Sequence, residues 1–532
     1  MNITFIFYLY FLVANVFGSF NELNTKEITK KQRPNIIFIM ADDHANRAIS
    51  AYDGSINQTP NIDRLADEGA LFLQSFCTNS ICAPSRATIL TGKHSHKNGV
   101  TGNGAPWDGS QTLFPRMFKE AGYETALIGK WHLNSNPGDE FNSWKILMGA
   151  GRQGFYYNPL FISNDKGEEI IPGYSTDVVT DEALKWLNNN KGSEKPFLLF
   201  VQYKAPHVPR IPALRYLDKY MNDTIPEPET LFDDYSTRSH YATDVNFKMG
   251  NYRPVPKIGV KTKRKNIQLE RMTEEQLLAY HKSIDPQNEK YYEMKKNGLL
   301  EGKNMKKYTY QRFIKDYIRC IDGVDENVGR LLNWLDQNKK LKNNTVVVYT
   351  SDQSYFTGEH GYKEKRLMYE DALKMPFLIR WPKKIKPGTR KKELIQNIDF
   401  APTFLDMANI EIPDDIQGNS FLPMLTEEPQ TEWRKSIYYH YYDHGKHKVG
   451  RHDGVRTERY KLINFYTDDL WELYDLKNDP NEVNNLYGNS ESKKVLKELT
   501  TELFRLREYY EVPSQVFKAP YVPFRGLPSL RD

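Results

Sequence analysis

Pro34-Asn35-Ile36-Ile37-Phe38-Ile39-Met40-Ala41-Asp42-Asp43-His44 decides how the rest of the chain is read. The run from Ile36 to Ala41 has no polar face, so it reads as a strand buried on both sides, as in a parallel sheet. Similar runs recur at Thr125–Gly129, Pro196–Tyr203, Thr345–Ser351 and Pro376–Trp381. Helical patterns lie between them. Asn61–Glu68 and Thr112–Ala121 are short amphipathic stretches, each stopped by a glycine, Gly69 and Gly122. Thr176–Asn190 is another, and apolar spacing predicts a long helix from about Tyr310 to Asn338. Strands alternating with helices predict an α/β sandwich: a large mixed, mostly parallel sheet with helices on both faces.

The rhythm breaks from about Pro209 to Lys307, where the chain is polar, Tyr-rich and carries Pro226, Pro228, Pro254, Pro256 and Pro286. This reads as an insertion over one end of the sheet. A second change comes near Pro429. Ser436–Tyr442 and Tyr460–Tyr466 then read as strands and Lys493–Tyr510 as a charged helix. The expected division is a large unit over 34–428 and a small α+β unit with an antiparallel sheet over 429–532. Residues 1–19 read as a signal peptide and 20–33 as a linker, although the leader lacks a basic start and a membrane anchor is the alternative. The chain is therefore expected to be secreted or periplasmic.

Bulk composition excludes more than it identifies. Of 532 residues, 73 are basic and 68 acidic, a net +5 that makes no electrostatic case for nucleic acid. Aromatics reach 13%, with 34 Tyr, which fits sugar stacking and a Tyr-rich core equally. The three cysteines, Cys77, Cys82 and Cys320, are too few for a disulfide scaffold. Cys77 and Cys320 are expected to be free thiols, Cys320 because its helix would bury it.

Open α/β sheets bind ligands at the carboxyl ends of their strands, and here those ends carry unusual residues. One strand ends in Asp42-Asp43-His44, another in Lys130-Trp131-His132, a third runs into Lys204-Ala205-Pro206-His207, and a fourth ends in Asp352-Gln353. Any one of these has an ordinary explanation as a turn or cap; their recurrence at four strand ends does not. Clustered carboxylates repel and need a cation. Three Asp with one amide oxygen form a hard oxygen site, which favours Ca²⁺, then Mg²⁺, over Zn²⁺.

The sharpest signal is Cys82-Ala83-Pro84-Ser85-Arg86, continuing to Thr91-Gly92. Pro84 suits a helix start and Gly92 a stop, which puts Cys82 at a helix N-terminus, where anions are favoured. With Gly129-Lys130-Trp131-His132, Ser351-Asp352-Gln353 and Lys365-Arg366-Leu367-Met368-Tyr369, this pattern resembles the type I sulfatases of the alkaline phosphatase superfamily, over roughly residues 34 to 490.

The resemblance implies an alkaline-phosphatase-like fold and a sulfate ester hydrolase. Cys82 would be oxidised to formylglycine by a maturating enzyme. Its hydrated form, a gem-diol, would attack sulfur, form a covalent sulfo-enzyme and release sulfate. Asp42, Asp43, Asp352 and Gln353 would hold the cation together with the group at Cys82. Arg86 would support the diol, and Lys130 and Lys365 would hold sulfate oxygens. His132 would act as base, and His207 would protonate the leaving alcohol. The substrate implied is a sulfated carbohydrate of ulvan or glycosaminoglycan type. His44, Arg451 and His452 are candidates to read the sugar. The rival readings are a phosphonate or phosphate ester hydrolase and, if Cys82 stays unmodified, a non-catalytic calcium-dependent carbohydrate-binding protein.

Overall fold

A computed structural model describes residues 33–255, 268–426 and 432–518. The expected signal peptide, nearly all of the linker and the boundary at Pro429 lie outside the described residues. Asn35–Asp42 lies in the middle of a ten-stranded sheet, parallel to Phe197–Pro206 on one side and to Thr345–Ser351 on the other. Glu124–Gly129 and Ser143–Met148 extend the parallel part. All residues of the three central strands are buried. Ile36, Phe38 and Met40 enter the core on one face, whereas Ile37, Ile39 and Ala41 enter the core on the other. Two buried faces explain the unbroken apolar run.

Phe377–Arg380 corrects one expectation. It pairs antiparallel with Thr345–Ser351, not parallel. Its burial on both faces is the same in either direction, so hydropathy could not distinguish them. The stretch 209–307 holds an unforeseen 23-residue helix, Glu274–Lys296. Its signal was present: Thr273 and Gln276 form a capping box. Pro286 inside the helix concealed it. The long helix runs from Gly302 to Gln337 and buries Cys320 against the sheet. All three cysteines are free.

The C-terminal sheet runs Ser436–Tyr441, His452–Thr457, Tyr460–Phe465, Leu470–Asp475, all antiparallel. Helix Lys493–Tyr509 covers one face through Leu499, Leu503 and Leu506. The other face, including Tyr439, Tyr441, Ile463 and Tyr474, belongs to the same hydrophobic cluster as the large sheet. The small unit is thus welded to the large one by apolar contact.

Parallel register brings the strand ends together. Ala41 lies opposite Ser351, Asp42 opposite Pro206, and Gly129 opposite Gln202. Gly129 has φ +112°, and a Cβ there would overlap the Gln202 carbonyl. Gly129→Ala is therefore expected to destabilise the protein by about 3 kcal/mol or more, read as a lower denaturant midpoint. An unchanged midpoint would show that this close approach does not constrain the fold.

Candidate active site

Helix Cys82–Thr91 is buried throughout and ends on Gly92 in the left-handed conformation. Its first residue, Cys82, faces the strand ends. Cys82 Sγ lies 3.4 Å from Asp42 Oδ1, 3.4 Å from Lys365 Nζ and 3.9 Å from Gln353 Nε2. Ligand atoms of Asp42, Asp43, Cys82 and Asp352 all lie within 4.8 Å of one another. The expected convergence at one rim is present.

Each carboxylate has a basic partner. Lys130 Nζ pairs with Asp42. Lys365 Nζ donates to Asp43 Oδ1 at 2.5 Å. Arg86 Nε donates to Asp352 Oδ2 at 3.1 Å, while its Nη1 holds the Lys130 carbonyl at 2.9 Å and Gln202 Oε1 at 3.1 Å. Burial pushes the Asp43 carboxyl up to about 7, against Lys365 and helped by Asp42 and Asp352. Burial and Asp42 also raise Asp352. Burial opposes ionisation of Asp42, but Lys130 and His207 hold it well below the usual carboxylate range. Burial and Asp42 push the Cys82 thiol well above its ordinary value. A thiol held un-ionised is a poor nucleophile.

Asp43 Oδ2 and Gln353 Oε1 are buried without a hydrogen-bond partner. Unsatisfied oxygens beside three carboxylates form a donor set that fits a hard divalent cation. Asp42, Asp43, Asp352 and Gln353 would hold it.

Two imidazoles flank this centre. His207 Nδ1 is 2.8 Å from the Val208 carbonyl, so Nδ1 carries a proton, and Nε2 lies 3.8 Å from Asp43 Oδ2. His132 Nε2 is 2.6 Å from Gln153 Nε2. Gln153 Oε1 accepts from Lys130 Nζ. A lysine only donates, so the Gln153 amide must donate to His132, and His132 Nε2 is the unprotonated nitrogen. Burial lowers both histidines well below their usual range. Asp43 and His132 have φ of 67° and 59°, so two of the strand ends turn through left-handed residues.

The three candidate sugar readers all have partners within the protein. His44 is buried, with Nδ1 2.6 Å from Tyr349 Oη and Nε2 3.4 Å from the Ala48 carbonyl. The turn at Asp43 carries it behind the sheet end. His452 is buried in the small sheet, where it stacks on Tyr439 and Nδ1 meets the Gly450 carbonyl at 2.9 Å. Arg451 packs over the Tyr466 ring. In the small unit, burial and Arg366 lower the Lys446 amine, against Asp443, Glu364 and Cys82. Gln153 and Gln202 were not foreseen as part of the site, and Lys204 was placed at a strand end without a role. Burial and Lys130 lower the Lys204 amine to about 7, and its Nζ lies 5.1 Å from the Tyr156 ring centroid. Gly149 to Gly154 held a signal for Gln153, since a glycine-rich loop after a strand permits close approach to a site.

Carboxylates, lysines, an arginine and a helix-borne cysteine at the rim of an α/β sheet define a hydrolase of anionic esters. Residues 34–410 match the family described as Sulfatase, and residues 358–509 match that described as N-sulphoglucosamine sulphohydrolase, C-terminal. The chain belongs to the sulfatase family. It is 44% identical over 507 residues to an N-acetylglucosamine-6-O-sulfatase of Bacteroides thetaiotaomicron, covering 91% of this chain and 88% of that one. It is 26% identical over 513 residues to an ulvan-active sulfatase of Formosa agariphila, covering 89% of this chain and 80% of that one. A solved structure of a protein with its substrate D-glucosamine-2-N,6-O-disulfate superposes with TM-score 0.85 at 42% identity, covering 91% of this chain and 99% of that one.

If these residues hold a divalent cation, adding Ca²⁺ to chelated protein should raise the melting temperature, because binding to the folded site alone stabilises the folded state. Asp43→Asn should remove most of that rise. An equal rise in both proteins would exclude Asp43 as a ligand.

Proposed function

We propose that this sulfatase removes the 6-O-sulfate from glucosamine residues of a glycan, with Cys82 acting after conversion to formylglycine. The observation that carries this is the position of Cys82 Sγ, at a helix N-terminus between Asp42 and Lys365. The 44% identity to an N-acetylglucosamine-6-O-sulfatase supports the sugar and the sulfate position. The cation would be Ca²⁺, with Mg²⁺ second, held by Asp42, Asp43, Asp352 and Gln353. A maturating enzyme would act on Cys82 before or during export, and residues 1–19 would direct the chain to the periplasm or the exterior.

The hydrated aldehyde would supply one hydroxyl to attack sulfur and a second to release sulfate, and a cation held by Asp42, Asp43, Asp352 and Gln353 would offset the negative charge that develops. The surrounding side chains do the rest. Lys130 and Lys365 bind the sulfate oxygens and keep water from competing for them. Arg86 fixes Asp352 and the Lys130 backbone, so the charged groups stay in place through the reaction. With its Nδ1 proton held on the Val208 carbonyl, His207 can serve the leaving alcohol only through Nε2, which must first take up a proton beside the Asp42 and Asp43 carboxylates and then pass it to the alcohol oxygen. His132 accepts a proton at Nε2, the nitrogen that Gln153 marks as unprotonated. The net reaction cleaves the ester S–O bond, adds water, and yields a free hydroxyl, sulfate and a proton.

A phosphonate monoester hydrolase of Agrobacterium radiobacter shares the fold, with TM-score 0.66 at 19% identity. The family match favours sulfate over phosphonate.

Sulfate release from N-acetylglucosamine 6-sulfate should fall more than about 10⁴-fold in Cys82→Ala, and the Cys82 peptide of the active enzyme should be lighter than the thiol. A thiol-mass peptide in fully active protein would refute the modification. His207→Ala should cost about 10²–10⁴-fold on the sugar sulfate, and far less on an aryl sulfate whose phenolate leaves unaided. Equal losses on both would remove His207 as the acid.

A further inference from the structure

Arg210 follows His207 by three residues, and its backbone N–H donates to the His207 carbonyl at 3.4 Å. Its guanidinium lies against three aromatic rings: 4.7 Å from the Phe313 centroid, 4.9 Å from Tyr355 and 5.7 Å from Tyr317. Two of these rings tie it to the reaction centre. Tyr317 Oη donates to the Asp43 carbonyl at 2.7 Å. Lys365 Nζ, which touches Cys82, lies 5.8 Å from the same Tyr355 ring.

The donors of Arg210 are not used up. Its Nε and Nη2 are buried and have no hydrogen-bond partner. It forms no ion pair with a described residue, because the neighbouring carboxylates are committed elsewhere: Asp43 to Lys365, and Glu364 to Lys365 and Arg366. Tyr355 supplies one hydroxyl acceptor to the guanidinium, and the ring faces attract the cation without filling Nε and Nη2. A half-buried arginine whose Nε and Nη2 have no partner is the arrangement expected of a group awaiting an anion.

We infer that Arg210 forms a second anion subsite beside the sulfate-binding lysines. It takes a further charged group of the substrate: a sulfate or sulfamate on the same sugar, or the carboxylate of an adjoining uronic acid. This deepens the proposed function and rests on it. The subsite makes the enzyme a reader of multiply charged glycans, because an oriented guanidinium pays its desolvation back only to an anion.

The test is calorimetric binding to Cys82→Ala protein, which cannot turn the sugar over. Three ligands separate the sources: N-acetylglucosamine 6-sulfate, D-glucosamine-2-N,6-O-disulfate, and N-acetylglucosamine 6-sulfate joined to a uronic acid. Adding Arg210→Met should weaken at least one doubly charged ligand about tenfold or more, and the singly charged sugar less than about twofold. The ligand that loses affinity tells whether the second charge lies on the same ring or its neighbour. Arg210→Lys, which keeps a charge against the same rings, should restore part of the loss. Equal weakening of all three ligands, or none, overturns the subsite and leaves the sulfatase reading intact. Failure of the Cys82→Ala parent to bind any of the three overturns the choice of sugar, and this inference with it.

Discussion

Repulsion among three buried carboxylates is the constraint around which this protein is organised. Asp42, Asp43 and Asp352 lie at the ends of adjacent parallel strands, out of water, where like charges interact most strongly. Nothing in the sheet itself relieves this. Lys130, Lys365 and Arg86 each neutralise one carboxylate, and two oxygens still have no partner. The same arrangement that is costly for folding is what a cation and an anionic sulfate ester need. A site tuned to receive charge is under electrostatic tension before the charge arrives.

The surrounding fold keeps that tension from relaxing. Helix Cys82–Thr91 is buried on all sides, so Cys82 cannot withdraw from the rim. Ser85 Oγ bonds the Asp352 carbonyl and accepts from Asn397 Nδ2, which ties the helix to two distant segments. The small sheet adds a further brace. Lys461, fully buried, bridges Glu370 and Glu482 across the two units. Glu370 also pairs with Arg456. Removing either partner of such a buried set leaves an uncompensated charge, so the two units are expected to move as one.

Much of the site was legible because it sits on regular elements. Strands that are apolar without interruption must be buried, and in a parallel sheet their carboxyl ends share one edge. That reasoning led to Asp42, Asp43, Lys130, His132, His207 and Asp352 from pattern alone, and the motif around Cys82 added the helix. Where the structure supplied other partners, the reason is physical. His44 read equally as a substrate contact or a helix cap; a left-handed residue before it redirects the chain, and backbone handedness at a non-glycine position leaves no compositional trace. His452 was expected to reach out, yet alternation in a sheet packed on both faces buries it beside Tyr439 and Phe465. Gln153 and Arg210 come from loops, where spacing carries no register.

By itself, the sequence determined the elements and the chemistry: buried strands, a cysteine opening a helix, acids and bases placed just past strand ends. Those follow from local hydropathy and from residue type, which no tertiary contact can alter. Only the tertiary structure decided which of those groups meet, which way Phe377–Arg380 runs, and which cations remain without a partner. Partnership depends on distances between residues as far apart in the chain as Asp43 and Lys365. Such distances are set by packing the whole sheet and its helices at once, and no local stretch of chain encodes them.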